Sequence, residues 1–328
     1  MPQATATVHA VVVHHRGDGL LARCLESLLA SRGVDLRVAV VANACEEPLS
    51  PHAGGLHRIH VLRTAEPLGF AAASNRGAAF LRERAGVPDH LYFVNDDTVS
   101  EPDALRELVG YLDRDRRCAI AGPRLMLQGT EGRLNSLGLN VTRGGDAWDE
   151  GIGLRVAEWG PLPAVRPALA VTGSALLVRR DVFEPLGGWD ELYGWYYEDV
   201  DLCLRARAAG WSVAVVPAAV VHHALSATAR HDQGLRLYHT FRNRLLLVVV
   251  HWPLGLLLAR TPRLLLGEGW RLVARVGRGQ RLEARLQVRA WLGFLRLLPA
   301  AIARRRRQGR QRGWVALLSP AGPVQVLS

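Results

Sequence analysis

Hydrophobic and polar positions alternate in blocks over the first 125 residues. "VHAVVV" (8–13) is a short β-branched run and predicts a buried strand. "GLLARCLESLLASRG" (19–33) puts Leu21, Cys24, Leu25, Leu28 and Leu29 on one helical face, with Gly33 where a C-terminal cap belongs. "LRVAVVAN" (36–43) and "RIHVLR" (58–63) predict two more strands, "FAAASNRGAAFLRER" (70–84) a second helix, and "HLYFVN" (90–95) a strand that stops at "DDT". A third helix is predicted over 100–112, with Pro102 near its start. This alternation predicts an α/β domain whose mostly parallel central sheet is flanked by helices, with ligands at the carboxyl ends of the strands. Residues 128–168 are rich in Gly and Pro, lack a period and predict long loops over the site. Residues 168–183 return to strand character, 201–211 predict a short helix, and 212–223 a strand ending in two histidines.

The pattern changes after residue 225. An apolar run from Leu245 to Ala259 is interrupted by His251 and Pro253. It is shorter than the roughly 20 residues of a membrane-spanning helix, so an interfacial or re-entrant segment is expected. Arginines then recur at 271, 275, 278, 281, 285 and 289, with Leu282, Leu286, Trp291, Leu292 and Leu295 available to an apolar side, and "RRRRQGRQR" (304–312) follows. Charge sharpens this division. The 41 basic residues of the 328 are all arginine, and residues 226–328 hold 19 of them against 3 acids. Residues 1–225 are therefore expected to form the body and 226–328 a basic helical tail. Such a tail implies an anionic partner. Arginine opposite Trp and Leu favours an anionic membrane surface, with a solvated helix packed on the body as the plainer alternative. Nucleic acid is not an expected partner, because no recognition fold accompanies the cluster. Four scattered cysteines without a C-x-x-C pair suit a reduced compartment, and "MPQATATVHAVVV" lacks the basic region of an export signal. A cytoplasmic protein, peripheral or monotopic at the inner membrane face, is expected.

Three acidic or histidine clusters carry candidate chemistry. In "VNDDTV" (94–99), Asn95, Asp96 and Asp97 end a buried strand; adjacent acids there can bind a hard divalent cation, although the same residues also make turns. In "WYYEDVDLC" (195–203), Glu198, Asp199 and Asp201 suit a helix N-terminus, but Trp195, Tyr196 and Tyr197 before them offer a platform for sugar faces, beside which a carboxylate can act as general base. "VVHHA" (220–224) offers His222 and His223 as core residues or as an imidazole for a metal.

Together, the order and spacing of these clusters resemble the inverting family-2 glycosyltransferases of the GT-A fold, in particular the rhamnosyltransferase-like branch of bacterial polysaccharide biosynthesis. The matching segments include "EPLGFAAASNRGAAF", "YFVNDDTV" and "TGSALLVRRDVFEPLGGWDELYGWYYEDVDLCLRARAAGW", within roughly residues 8–225. The resemblance implies a Rossmann-like GT-A body, Mg2+ or Mn2+ as cofactor, a dTDP-, UDP- or GDP-linked sugar donor, and a lipid-linked or glycan acceptor. It implies Asp97 and His222 as metal contacts, with His223 next best, and Asp199 as catalytic base with Glu198 beside it. It places His14, Asn43, Gly69, Asn75, Asn95, Asp96 and Asp97 along the nucleotide-sugar, and Gly173 near donor and acceptor. Two departures stand out: Ala42 replaces an aspartate that usually contacts the base, and His14, His15 and Arg16 stand where "NYN" often ends the first strand. Ala42 and Asn95 also favour an alternative, a non-catalytic sugar-nucleotide or glycan-binding protein on the same fold.

Overall fold

The computed structural model describes residues 5–15, 19–45, 56–225, 233–307 and 313–320. Arg16, Ser226 and the part of the arginine cluster beyond Arg307 lie outside them. Twelve strands are described: β1 (Thr7–His14), β2 (Asp35–Asn43), β3 (Ile59–Thr64), β4 (His90–Asn95), β5 (Thr98–Ser100), β6 (Cys118–Leu127), β7 (Leu134–Ser136), β8 (Leu139–Val141), β9 (Ala147–Asp149), β10 (Arg166–Pro167), β11 (Ala175–Arg179) and β12 (Ser212–His223). The helices are α1 (Leu20–Leu29), α2 (Phe70–Ala85), α3 (Ala104–Arg114), the one-turn α4 (Val156–Trp159) and α5 (Arg180–Phe183), α6 (Glu198–Ala208), α7 (Gln233–His251), α8 (Leu254–Gly277) and α9 (Arg281–Arg307).

The main sheet runs β10-β12-β6-β11-β4-β1-β2-β3. Its β3-β2-β1-β4 half is parallel, and β11 enters antiparallel between β4 and β6. Strand β1 is buried on both faces, which is why it reads as a continuous apolar run. Its residues alternate between two cores: Val8, Ala10 and Val12 face α1 and α3, while Val11 faces α2 and α6. Gly77 lets α2 approach closely, since a Cβ there would stand 2.6 Å from Val11 Cγ1 and 2.7 Å from Val41 Cγ2.

Several expectations change. The third helix starts at Ala104, because Thr98–Ser100 pair with β12 instead. Residues 128–168, expected as loops, contain β7, the β8–β9 hairpin and β10. The larger change is in the tail. Leu246, Leu247, Val248 and Val250 of α7 are buried in the same core as α2 and α6, so the first half of the expected interfacial run is core. His251, read as an interruption, is 1% exposed and its Nε2 lies 2.7 Å from Asp201 Oδ1. Arg205 Nε donates to the other oxygen of Asp201 at 2.7 Å. Arg304 donates to Asp190 at 2.9 Å, and Arg305 to the carbonyls of Val249 and Trp252. A boundary at residue 225 therefore separates groups that share one core.

The expected arginine stripe is also redirected. Gly279 turns left-handed (φ 73°) between α8 and α9, so the stripe is not one helix. Arg271 bonds to Glu268 and Asp146, and Arg275 bonds to Gln287 and lies over the Phe241 ring, both toward the body. The face of α8 turned to solvent is apolar: Leu258, Leu265, Leu266, Trp270, Val273 and Val276 are all exposed, Leu266 by 75%. Leu282, Leu292 and Leu295 continue that character on α9. Among the described residues, α9 alone is long and apolar enough to cross a membrane, by length and composition.

Asp201 is fully buried, which pushes its carboxyl pKa up, but Arg205 and His251 outweigh this and hold it below the usual carboxylate range. Its stabilising contribution is therefore complete at neutral pH and is lost as pH falls through that range. Removing one partner of a buried ion pair costs on the order of 3 kcal/mol. His251→Ala is expected to lower the urea midpoint by a corresponding amount at pH 7, with a smaller deficit at pH 3. An unchanged midpoint would mean that α7 does not stabilise the body.

Candidate active site

The site forms where β4, β12 and the start of α6 meet. Helix α6 is entered through Tyr196 and Tyr197, both left-handed (φ 66° and 75°). Bulky residues rarely adopt this conformation and are held there by their surroundings. Asn243 of α7, fully buried, is the holder: its Nδ2 reaches the carbonyls of Tyr193, Trp195 and Tyr196 at 2.9, 2.8 and 2.7 Å. Arg242 fixes Asn243 Oδ1 at 2.8 Å and the Tyr193 carbonyl at 2.6 Å. The clamp aims the first turn of α6 at the sheet edge.

Three acids in that turn have three environments. Asp201 is the buried ion-pair member. Asp199 Oδ2 accepts the Gly173 N–H at 2.9 Å and its Oδ1 accepts that of Val200 at 2.8 Å. Burial raises the Asp199 pKa, and these N–H groups only partly offset the rise. Glu198 is raised well above its ordinary value, first by burial and then by the Asp199 charge. It is 7% exposed, and its Oε2 has no hydrogen-bond partner among the described residues.

The strand-end acids lie next to this group. Asn95 N–H donates to the Ser174 carbonyl at 3.0 Å, so the Gly173–Ser174 turn joins Asp199 to the end of β4. Asp96 Oδ2 lies 2.6 Å from Nδ1 of buried His14. His223 Nε2 stands 3.1 Å from Asp97 Oδ1, and its Nδ1 is 2.6 Å from Asn135 Oδ1. The expectation had favoured His222, but that side chain turns the other way, 3.4 Å from Glu101. Successive strand residues face opposite sides, and here His223 takes the site side.

These donors can be tested against Mg2+ or Mn2+. With Nδ1 bonded to Asn135 Oδ1, His223 turns Nε2 toward an Asp97 oxygen, so an imidazole nitrogen and a carboxylate oxygen face one another. Adjacent donors of an octahedral ion at about 2.1 Å stand about 3.0 Å apart, close to the observed 3.1 Å. Among the described residues, no group of three His, Cys, Asp or Glu forms a metal cage. Such ions often take one or two protein ligands and complete their shell with substrate phosphates and water. The residues fit that kind of site.

The expected nucleotide wall is present as backbone shape more than as free side chains. Asn43 spends its amide on Leu68, donating at 2.8 Å to the carbonyl and accepting from the N–H at 2.8 Å. Asn75 is likewise bonded to both backbone groups of Trp189. Gly69 packs so tightly that a Cβ would fall 2.9 Å from Gly194 Cα. The aromatic trio divides. Tyr196 is exposed and Trp195 half-buried, the latter packed edge-on against His239. Tyr197 is not available as a platform: it is 7% exposed and its hydroxyl accepts the Ala147 N–H at 3.2 Å.

Three contributors were not expected from the sequence. Asn135 orients His223, and Asn243, between Arg242 and Arg244, clamps the loop; neither lies in one of the acidic or histidine clusters. Asp149, at the end of β9, is raised to about 6, first by burial, and it feels the charges of Asp199, His223 and Arg236. Among the described residues its Oδ1 is buried without a hydrogen-bond partner, although the Ser136 hydroxyl acts on the carboxyl and lowers its pKa. Asp149 Oδ1 and Glu198 Oε2 are thus two acceptors, unfilled among the described residues, within electrostatic reach of Asp199.

The comparisons with known proteins agree with this architecture. An L-rhamnosyltransferase of Mycobacterium tuberculosis, named for N-acetylglucosaminyl-diphospho-decaprenol, is 32% identical over 193 residues, 52% of this chain and 61% of its own length. The rhamnosyltransferase WbbL of Escherichia coli is 25% identical over 255 residues, 72% of this chain and 88% of its own. Among solved structures, GalNAc-T7 with UDP, GalNAc and Mn2+ superposes on 77% of this chain and 49% of its own, with a TM-score of 0.57 and 16% identity. The Pyrobaculum calidifontis mannosyltransferase with GDP-Man and Mn2+ superposes on 96% of this chain and 79% of its own, with a TM-score of 0.51 and 16% identity. These place the fold in the GT-A class. The profile described as "Glycosyltransferase like family 2" matches residues 4–244, almost three-quarters of the sequence and through the Asn243 clamp, so the chain belongs to that family.

Proposed function

We propose that the chain is an inverting, divalent-metal-dependent glycosyltransferase that moves L-rhamnose from dTDP-rhamnose to a lipid-linked or glycan acceptor. The observation that carries the reading is the carboxylate constellation at the start of α6: a partly hydrogen-bonded Asp199 flanked by unfilled buried acceptors on Glu198 and Asp149. Sugar hydroxyls are the donors that such acceptors lack. Asp199, with its pKa raised by burial, suits removal of a proton from an acceptor hydroxyl. The acceptor hydroxyl oxygen attacks the anomeric carbon while its proton passes to an Asp199 oxygen, and the bond from that carbon to the nucleoside diphosphate breaks on the opposite face. Asp97 and His223 would hold the ion, whose bound chemistry is to neutralise the departing diphosphate. Glu198, its carboxyl raised by burial and by the Asp199 charge, exchanges a hydrogen bond with a sugar hydroxyl, and Asp149 accepts from another.

The named relatives support rhamnose and a lipid diphosphate acceptor. UDP- and GDP-sugars bound by the fold neighbours are the next donors to try. The outward apolar faces of α8 and α9 support a peripheral or monotopic position at the cytoplasmic membrane surface. A second reading, a non-catalytic binder on the same fold, is favoured by Ala42 and Asn95, where donor contacts differ from many relatives. Turnover of dTDP-rhamnose with Mn2+, against a matched sample with chelator, separates the two readings; a binder shows none.

Because burial raises the Asp199 pKa, transfer should increase with pH, along an acidic limb lying above the usual carboxylate range. Asp199→Asn should reduce the rate by roughly a hundredfold or more, the scale of lost general-base help, while donor affinity stays nearly constant. Near-normal turnover in that variant would remove Asp199 from the role. For the metal, calorimetry of a nucleoside diphosphate with and without Mn2+ is the direct check. Asp97→Ala and His223→Ala should abolish the Mn2+-dependent gain in affinity, and His222→Ala should leave it intact. The reverse ranking of the two histidines would return the assignment to His222.

A further inference from the structure

A cavity of about 180 Å3 lies between the β8–β9 turn, α7 and α8, outside the candidate active site. By the volume of liquid water it has room for about six molecules. Its lining includes Arg143, Arg244, Arg260, Arg263 and Arg271 against a single carboxylate, Asp146. Not all of this charge is free. Arg244 is 4% exposed and paired with Glu268 and Asp146, and Arg271 is bonded to the same two acids. Arg143, Arg260 and Arg263 have no acidic partner among the described residues. Three uncompensated guanidinium groups thus converge on one concavity, while Glu268 and Asp146 fix the two that form its wall.

The chemistry of the lining selects an anion with several acceptor oxygens. Guanidinium groups bind phosphate through paired N–H donors, and a set converging from two elements favours a phosphate or diphosphate over a lone carboxylate. The neighbouring surface indicates where that phosphate comes from. Leu265 and Leu266 directly follow the cavity residues Arg263 and Leu264 on α8, and are 68% and 75% exposed. Trp270 and Val273 continue the exposed apolar surface by 72% and 63%. A soluble helix normally turns its apolar side inward. Here Arg260 and Arg263 border the cavity beside Leu264, while Leu258, Leu265 and Leu266 face out. A ligand with a phosphate head and a hydrocarbon chain matches both sides of this arrangement.

We propose that this cavity binds the phosphate or diphosphate head of an anionic lipid whose chain lies against the exposed face of α8. The proposal rests on the membrane position inferred above and deepens it, from a diffuse attraction of a basic tail to one stoichiometric site. The wall is also connected to the active site. Asp146, held by Arg244 and Arg271, precedes Ala147, whose N–H bonds to Tyr197, and Asp149 follows two residues later. A head group in the cavity would therefore contact the hairpin that carries Asp149.

The test uses the full chain with phosphatidylcholine vesicles, with and without phosphatidylglycerol, and inorganic pyrophosphate measured by calorimetry. Two double variants remove equal charge: Arg260→Gln with Arg263→Gln inside the cavity, and Arg285→Gln with Arg289→Gln on exposed positions of α9. The cavity pair should lose roughly tenfold or more in affinity for phosphatidylglycerol vesicles, on the scale of two arginines at an anionic surface. The α9 pair should lose less than half as much on a logarithmic scale. Pyrophosphate should bind the parent and the α9 variant with near-unit stoichiometry, should fail to bind the cavity variant, and should compete with the vesicles. Equal losses from the two pairs, or no pyrophosphate binding by the parent, would overturn the site in favour of diffuse charge. Pyrophosphate binding through the cavity by a chain that ignores both vesicles would overturn the lipid source and the membrane position together. Binding to both vesicle types without dependence on Arg260 and Arg263 would overturn the site and leave the membrane position standing.

Discussion

The active-site geometry depends on one amide. Asn243 binds three consecutive-region carbonyls of the Tyr193–Tyr196 loop and so holds two tyrosines in left-handed backbone conformations that they rarely adopt. Without that hold, relaxation of Tyr196 and Tyr197 would rotate the first turn of α6 and with it Glu198 and Asp199. The clamp is itself secured. Arg242 fixes the amide oxygen, the apolar side of α7 is buried beside α6, and His251 closes on Asp201 one turn into the same helix. The most basic region of the sequence therefore supplies the groups that position its most acidic turn.

Within that turn, environment separates chemically similar groups. Asp201, between Arg205 and His251, is ionised and structural. Asp199 is raised by burial and partly brought back by the N–H groups of Gly173 and Val200, whereas Glu198 is raised well above its ordinary value, first by burial and then by the Asp199 charge. Asp149 enters from a different element and is raised to about 6, first by burial. Four side chains of nearly equal intrinsic acidity thus acquire different environments: one paired with cations, one accepting two backbone N–H groups, and two with a buried oxygen that no described donor fills.

Much of this was legible in the sequence where a period was present. The β1-α1-β2 and α2-β4 units were readable because their strands are short apolar runs and α1 keeps a single apolar face. "CAIAGPRLML" did not announce β6, since its Gly and Pro interrupt both strand and helix patterns. The choice between His222 and His223 was beyond reach for a definite reason: β12 shifts register between Val216 and Val220, so the facing of its end cannot be counted from its start. The tail misled because buried apolar runs and membrane-seeking ones have the same composition. His251 and Pro253 looked like breaks in a lipid-facing segment until Asp201 was seen opposite His251. Asp149 lay in a stretch without periodicity, and its role depends on a hairpin that local patterning does not reveal.

The clamp also sets a timetable. A ribosome delivers the chain N-terminus first, at roughly 5–20 residues per second, so every carboxylate of the site is made well before Asn243. The sheet can assemble around β1, β4 and β12 while the loop before α6 still lacks its holder. Competence therefore arrives only once α7 has been synthesised and docked, immediately before the outward-facing leucines of α8. A half-made chain carries its acids in an unorganised state, and catalytic readiness and the lipid-like surface appear within the same few seconds of translation.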